Sequence, residues 1–141
     1  MASQLYTDYK ESCLGGGAHS FADLTQAGAD TIKVAVVNGV TDYSFSAAHQ
    51  DFADIADYLA TTPQTLGAKT VTNGVFDNTA DITFTSVAVD GAKVIDVLIH
   101  YKDSGTPATS PLICYHDAFT PVTPNGGNIV IQYNGSGIFE L

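Results

Sequence analysis

The sequence predicts a mainly β protein, an antiparallel β-sandwich or partly closed barrel carrying one or two short helices. Two observations lead there. Runs rich in β-branched and aromatic residues recur at short intervals from Thr31 to Leu141, and the links between them hold the Asn-Gly, Gly-Gly and Pro signals of tight turns. Composition is a third: 45% hydrophobic residues supply a packed core, while 13 glycines suit frequent turns between short elements. At 141 residues the chain has the size of one domain. It divides into residues 1–17, an N-terminal arm or short helix with a glycine hinge, and residues 18–141, a β-rich domain.

Element by element, Leu5, Tyr9, Ser12 and Cys13 fall at i, i+4, i+7 and i+8 and place one face on a short helix. Gly15-Gly16-Gly17 stops it, and its conformational freedom predicts a flexible joint or sharp turn. Residues 31–37 (Thr-Ile-Lys-Val-Ala-Val-Val) read as a strand buried on at least one face, ended by an Asn38-Gly39 turn. Between residues 46 and 59 the period changes. Ala48, Phe52, Ile55, Ala56 and Leu59 line one side, with His49, Gln50, Asp51, Asp54 and Asp57 on the other, which predicts an amphipathic helix of about three or four turns.

After Pro63 the pattern is β throughout. Residues 69–76 contain the hairpin signal Asn73-Gly74, and residues 81–87 alternate Ile82, Phe84 and Ser86 against Thr83, Thr85 and Val87. Residues 93–101 are nearly continuously apolar, as in a central strand covered on both faces. A strand over 112–116 follows, and a final hairpin is expected to pair 128–133 with 137–141 around Asn134-Gly135-Ser136.

Charge narrows the function classes. Lys+Arg number 5, all of them Lys, against 15 Asp+Glu, for a net charge of −10. Nucleic-acid binding is disfavoured, because that affinity comes from cations displacing counterions. An anionic membrane surface would repel the chain. No apolar run reaches the roughly 18 residues of a bilayer span, and the segment Met1 to Tyr6 lacks the form of a secretory signal. Synthesis and folding in a cytosol are expected.

No catalytic constellation emerges. With so many acids, any carboxylate pair is uninformative for glycoside hydrolysis. The local metal candidates, His100 with Asp103 and His116 with Asp117, lie where strands meet turns and read as bonding to backbone or water. Asp51, Asp54 and Asp57 lack the Gly and terminal Glu of a calcium loop. Cys13 and Cys114 are too few for a disulfide scaffold, and Cys114, inside Leu112-Ile113-Cys114-Tyr115, reads as a small buried hydrophobe. There is no Gly-x-Ser-x-Gly elbow. The expectation is a structural or binding protein with no catalytic residue, cofactor or metal. Tyr43, Phe45 and Phe119 sit in or beside predicted turns, where capping the ends of the sheet is expected and surface contact is the alternative.

A pattern over roughly Asp30 to Leu141 adds a resemblance. It comprises Asp30-Thr31-Ile32-Lys33-Val34-Ala35, Lys69 to Asp77, Asp81-Ile82-Thr83-Phe84-Thr85, Tyr101-Lys102-Asp103-Ser104-Gly105-Thr106, Ser110-Pro111-Leu112-Ile113, Pro121 to Ile129, and Gly137 to Leu141. The chain resembles a family of small virion-associated proteins encoded among the structural genes of tailed bacteriophages. It departs from that pattern at Asn128, where Asp is usual, at Tyr133, where Trp is common, and in a longer 15–29 segment.

The resemblance implies a non-enzymatic capsid decoration or cement protein in the virion, binding the major capsid protein, copies of itself, or both, as a homo-oligomer on the particle. A neck or tail component and a carbohydrate-binding host-adhesion module are the alternatives. On this reading Tyr6, Tyr9, Tyr43 and Phe45 are the expected partner contacts. Residues 2–17 either reach a neighbouring subunit or pack on their own domain.

Overall fold

Along Thr31–Val37 the side chains alternate, with Ile32, Val34 and Val36 buried on one face and Ala35 and Val37 buried on the other. Burial on both faces extends the one-face expectation for this stretch, and the 93–101 run, whose strand Val97–Asp103 is buried as far as Tyr101, reads as nearly continuously apolar for the same reason. The computed structural model describes residues 4–19, 22–25, 30–38, 43–90 and 94–141; the Gly39 half of the expected Asn38-Gly39 turn lies outside them.

In chain order the described elements are β1 (Gln4–Leu5), α1 (Thr7–Cys13), β2 (Thr31–Val37), β3 (Gln64–Thr65), β4 (Lys69–Thr72), β5 (Val75–Asn78), β6 (Ile82–Phe84), β7 (Val97–Asp103), β8 (Leu112–His116), β9 (Ile129–Ile131) and β10 (Phe139–Glu140). A five-stranded antiparallel sheet has the order β1-β8-β7-β2-β3, beside a three-stranded sheet β10-β5-β4 and a pair β6-β9. None closes into a barrel among the described residues, so the architecture is sandwich-like.

The five-stranded sheet is the middle layer. Its first face, carrying Ile32, Val34, Val36, Leu98 and Ile113, packs with Phe76, Ile82, Phe84, Ile138 and Phe139 of the smaller sheets. Its second face, carrying Ala35, Val37, Val97, Ile99, Tyr101, Leu112 and Tyr115, is covered by Tyr6, Tyr43 and Ile55. A bulge lets β8 serve both faces. Tyr101 pairs with Leu112 and His100 with Cys114, leaving Ile113 as the extra residue. Leu112 and Tyr115 can then both face the second core while Cys114 faces the first.

Two local expectations change and a third narrows. The 46–59 segment is not a regular helix: it forms two single-turn 3-10 helices, Phe52–Asp54 and Ala56–Tyr58, around the buried Ile55. Its backbone is recruited elsewhere. Phe52 N–H donates to Ser110 O, Leu112 N–H to Gln50 O and Ala60 N–H to Val36 O. The Asp54 carboxylate accepts from the N–H groups of Gln50 and Asp51, a local alternative to helical bonding. The segment thus acts as a strap that closes both margins of the five-stranded sheet beyond β1 and β3.

Of the two forms expected of the glycine triplet, the structure has the sharp turn, as a helix cap. Gly16 N–H bonds to Glu11 O and Gly15 N–H to Ser12 O, with Gly15 at φ +84°, the double bond of a Schellman motif. At Gly17 an added Cβ would stand 2.6 Å from Asp8 O, so the chain needs glycine for close approach.

The terminal hairpin is absent as well. β9 pairs with β6, and β10 pairs with β5, so the strands flanking Asn134-Gly135-Ser136 belong to different sheets. The Asn73-Gly74 hairpin stands as expected, joining β4 to β5 with φ +52° and +83°.

Candidate functional site

Side chains two apart on a strand share a face, so Cys114 and His116 of β8 point the same way, and His100 of β7 is the cross-strand partner of Cys114. The three converge. Cys114 Sγ lies 3.4 Å from His100 Nδ1 and 3.4 Å from His116 Nε2, and all three ligand-type atoms lie within 4.8 Å of one another. The imidazole rings meet edge to face, at 5.2 Å and 82°. On its far side His100 Nε2 is 2.8 Å from the Tyr133 hydroxyl. The tautomer that donates Nε2–H to Tyr133 leaves the Nδ1 lone pair facing the sulfur.

Burial sets the charge of this cluster. It holds His100 well below the ordinary imidazole value, with His116 adding to the effect. His116 is pushed down to about 4, again chiefly by burial, and the Cys114 thiol is pushed well up. Near neutral pH the group is two neutral imidazoles and a thiol. Since the thiolate is the nucleophile, this arrangement does not make Cys114 an activated attacking group. A cleft of about 180 Å³, bordered by Leu98, His116, Phe119, Tyr133 and Ile138, opens beside it.

Where backbone or water partners are expected for the histidines, His100 meets Cys114 and Tyr133 and His116 meets Cys114, while the neighbouring aspartates have partners of their own. Asp103 is bound by the Lys33 ammonium and Gly105 N–H, and Asp117 accepts from the Tyr115 hydroxyl. The Cys114-x-His116 alternation on a predicted strand was the available sequence signal, but joining it to His100 requires the β7-β8 register.

The four expected contact aromatics lie mainly in the protein's own core. Tyr6, Tyr9 and Tyr43 are 0%, 2% and 2% exposed, and the half-buried Phe45 packs on Tyr6 and Tyr115. Tyr6 and Tyr43 share a 2.6 Å hydroxyl hydrogen bond. A side chain buried this way offers no surface to a partner, which corrects the assignment of Tyr6, Tyr9 and Tyr43. The N-terminal segment is likewise part of the domain: β1 pairs with β8, and the buried Asp8 of α1 accepts from Ala18 N–H. His19 sits between two carboxylates, with Nδ1 2.7 Å from Asp8 and Nε2 2.9 Å from Asp51, tying the capped helix to the strap.

The exposed apolar material is aliphatic. Val71 and Leu141, 45% and 61% exposed, rim a cleft of about 160 Å³ whose other walls include Leu24, Phe76 and Phe139. Comparison with protein-family models, with curated proteins and with solved structures finds no match for the chain.

Proposed function

We propose that this protein is a non-enzymatic structural component of a bacteriophage virion, a decoration or cement protein that binds the coat-protein shell. The resemblance in the sequence supplies the class. The structural observation that supports it is the apolar cleft of the three-stranded sheet, where Val71 of edge strand β4 and Leu141, which follows β10 and bonds to Gly74, stand exposed. An edge strand with aliphatic side chains next to it suits docking against another protein surface. The net charge of −10 suits a basic patch on that surface.

A glycan platform is supported less well, because among the described residues no Phe or Tyr is exposed. Weak contacts repeated over a shell become strong through multiplicity, so the reading predicts many copies. The test is the number of copies of this chain per purified particle, measured by quantitative mass spectrometry against the major coat protein. A ratio near that of the coat protein is expected. A handful per particle replaces the shell assignment with a neck, tail or adhesion role, and absence from particles overturns the virion reading.

A further inference from the structure

We propose that His100 Nδ1, Cys114 Sγ and His116 Nε2 bind one Zn²⁺ ion, with a fourth position open to the cleft beside Tyr133. This site stands independently of the virion reading. Zinc takes nitrogen and thiolate ligands at about 2.0 and 2.3 Å in a tetrahedron, which sets a nitrogen-to-sulfur edge of about 3.6 Å. Both observed edges from Cys114 Sγ are 3.4 Å, so an ion enters with little change along either.

The supporting shell is also in place. A metal-bound imidazole ordinarily donates its other N–H to a fixed partner, and His100 has Tyr133 at 2.8 Å on that nitrogen. Tyr133 is therefore a positioning residue. The β8 bulge next to Cys114 holds the thiol on the His100 face, and the cleft bordered by His116 and Tyr133 supplies an entry path. Three nitrogen and thiolate ligands with the fourth position left open are an arrangement that zinc adopts. On loading, the Cys114 S–H bond breaks, the sulfur bonds to the ion, and one proton passes to solvent.

The test uses the full chain, stripped with chelator and titrated with Co²⁺ as a spectroscopic stand-in for zinc. The expected result is one Co²⁺ per chain with tetrahedral visible bands and a thiolate-to-cobalt charge-transfer band, all displaced by Zn²⁺. Cys114→Ala abolishes the charge-transfer band. The half-buried His116→Gln, checked for folding by circular dichroism, weakens binding at least tenfold and carries the test if Cys114→Ala fails to fold. Tyr133→Phe keeps the band but lowers affinity roughly 10- to 100-fold, whereas His49→Gln leaves binding unchanged. Absence of the band in the unmodified chain, or undiminished binding in His116→Gln, overturns the site.

Discussion

Asp103 is held as a carboxylate by the Lys33 ammonium, with help from Gly105 N–H, so its pKa lies below the ordinary aspartate value in the folded chain. A carboxylate lowered in this way stabilises the fold fully above the unfolded value near 3.9 and loses that contribution as pH falls through the folded value. Thermal unfolding followed from pH 5 to 2 is therefore expected to show Asp103→Asn with a shallower acid loss than the parent. At pH 7 the variant is expected to be less stable by about 0.2–1 kcal/mol, the scale of a partly exposed ion pair; an unchanged acid limb would remove Asp103 from the account. The Asp103 turn was visible in the sequence, but its partner was not, because Lys33 meets it only through the β2-β7 pairing. The same holds for the sulfur-imidazole cluster: Cys114 was rightly read as buried, while its neighbours are chosen by register. Ser86 shows the limit of simple alternation. Its φ of +50° breaks the period after Phe84, and Val87, expected opposite Phe84, is buried in the same core.

Strands that read as continuous β-branched or apolar runs, or that flank a clear turn signal, survive from sequence to structure, as in β2, β4-β5, β7 and β8. The 46–59 segment does not keep its helical period, because aspartate side chains and the open margins of the sheet compete for its backbone. Apolar residues at helical spacing still go inward: Ile55 is buried, but on a strap. At the N-terminus a short helix was legible from Tyr9 and Cys13, whereas its docking was not. Tyr6 and Tyr9 are both buried, and full burial of a large apolar side chain contributes roughly 1.5–3 kcal/mol, a large share of a domain's typical net 5–15 kcal/mol. Deleting residues 1–17 is therefore expected to abolish cooperative unfolding or lower the midpoint by more than about 10 °C. A truncated chain that melts like the parent would restore the detachable arm.

Over the described residues, Lys10 is exposed, while the other three described lysines are engaged by acidic or carbonyl oxygens. Lys33 pairs with Asp103, Lys102 pairs with Asp30, and the buried Lys69 donates to Asp30 O. The outward field is correspondingly anionic, with Val71 and Leu141 as a local apolar feature. For a shell-binding protein, Val71→Asp combined with Leu141→Asp is expected to weaken rebinding to depleted particles at least tenfold, since a central contact typically contributes more than about 1 kcal/mol. Added salt should weaken the parent's rebinding too, by screening over a Debye length of about 10 Å at 0.1 M. Sedimentation of the particles with labelled protein reads both, and rebinding indifferent to the paired substitution would move the contact to another face.

The sequence by itself determined the mainly β class, the strands written as apolar and β-branched runs, the Asn73-Gly74 hairpin and the acidic charge, since each is written in neighbouring residues and local backbone preference. Only the tertiary structure decided the sheet order, the strap, the docking of Tyr6 and Tyr9, and the meeting of His100 with Cys114 and His116. Those depend on which distant segment supplies each hydrogen bond and which apolar face it covers, a choice made by the competition among long-range pairings.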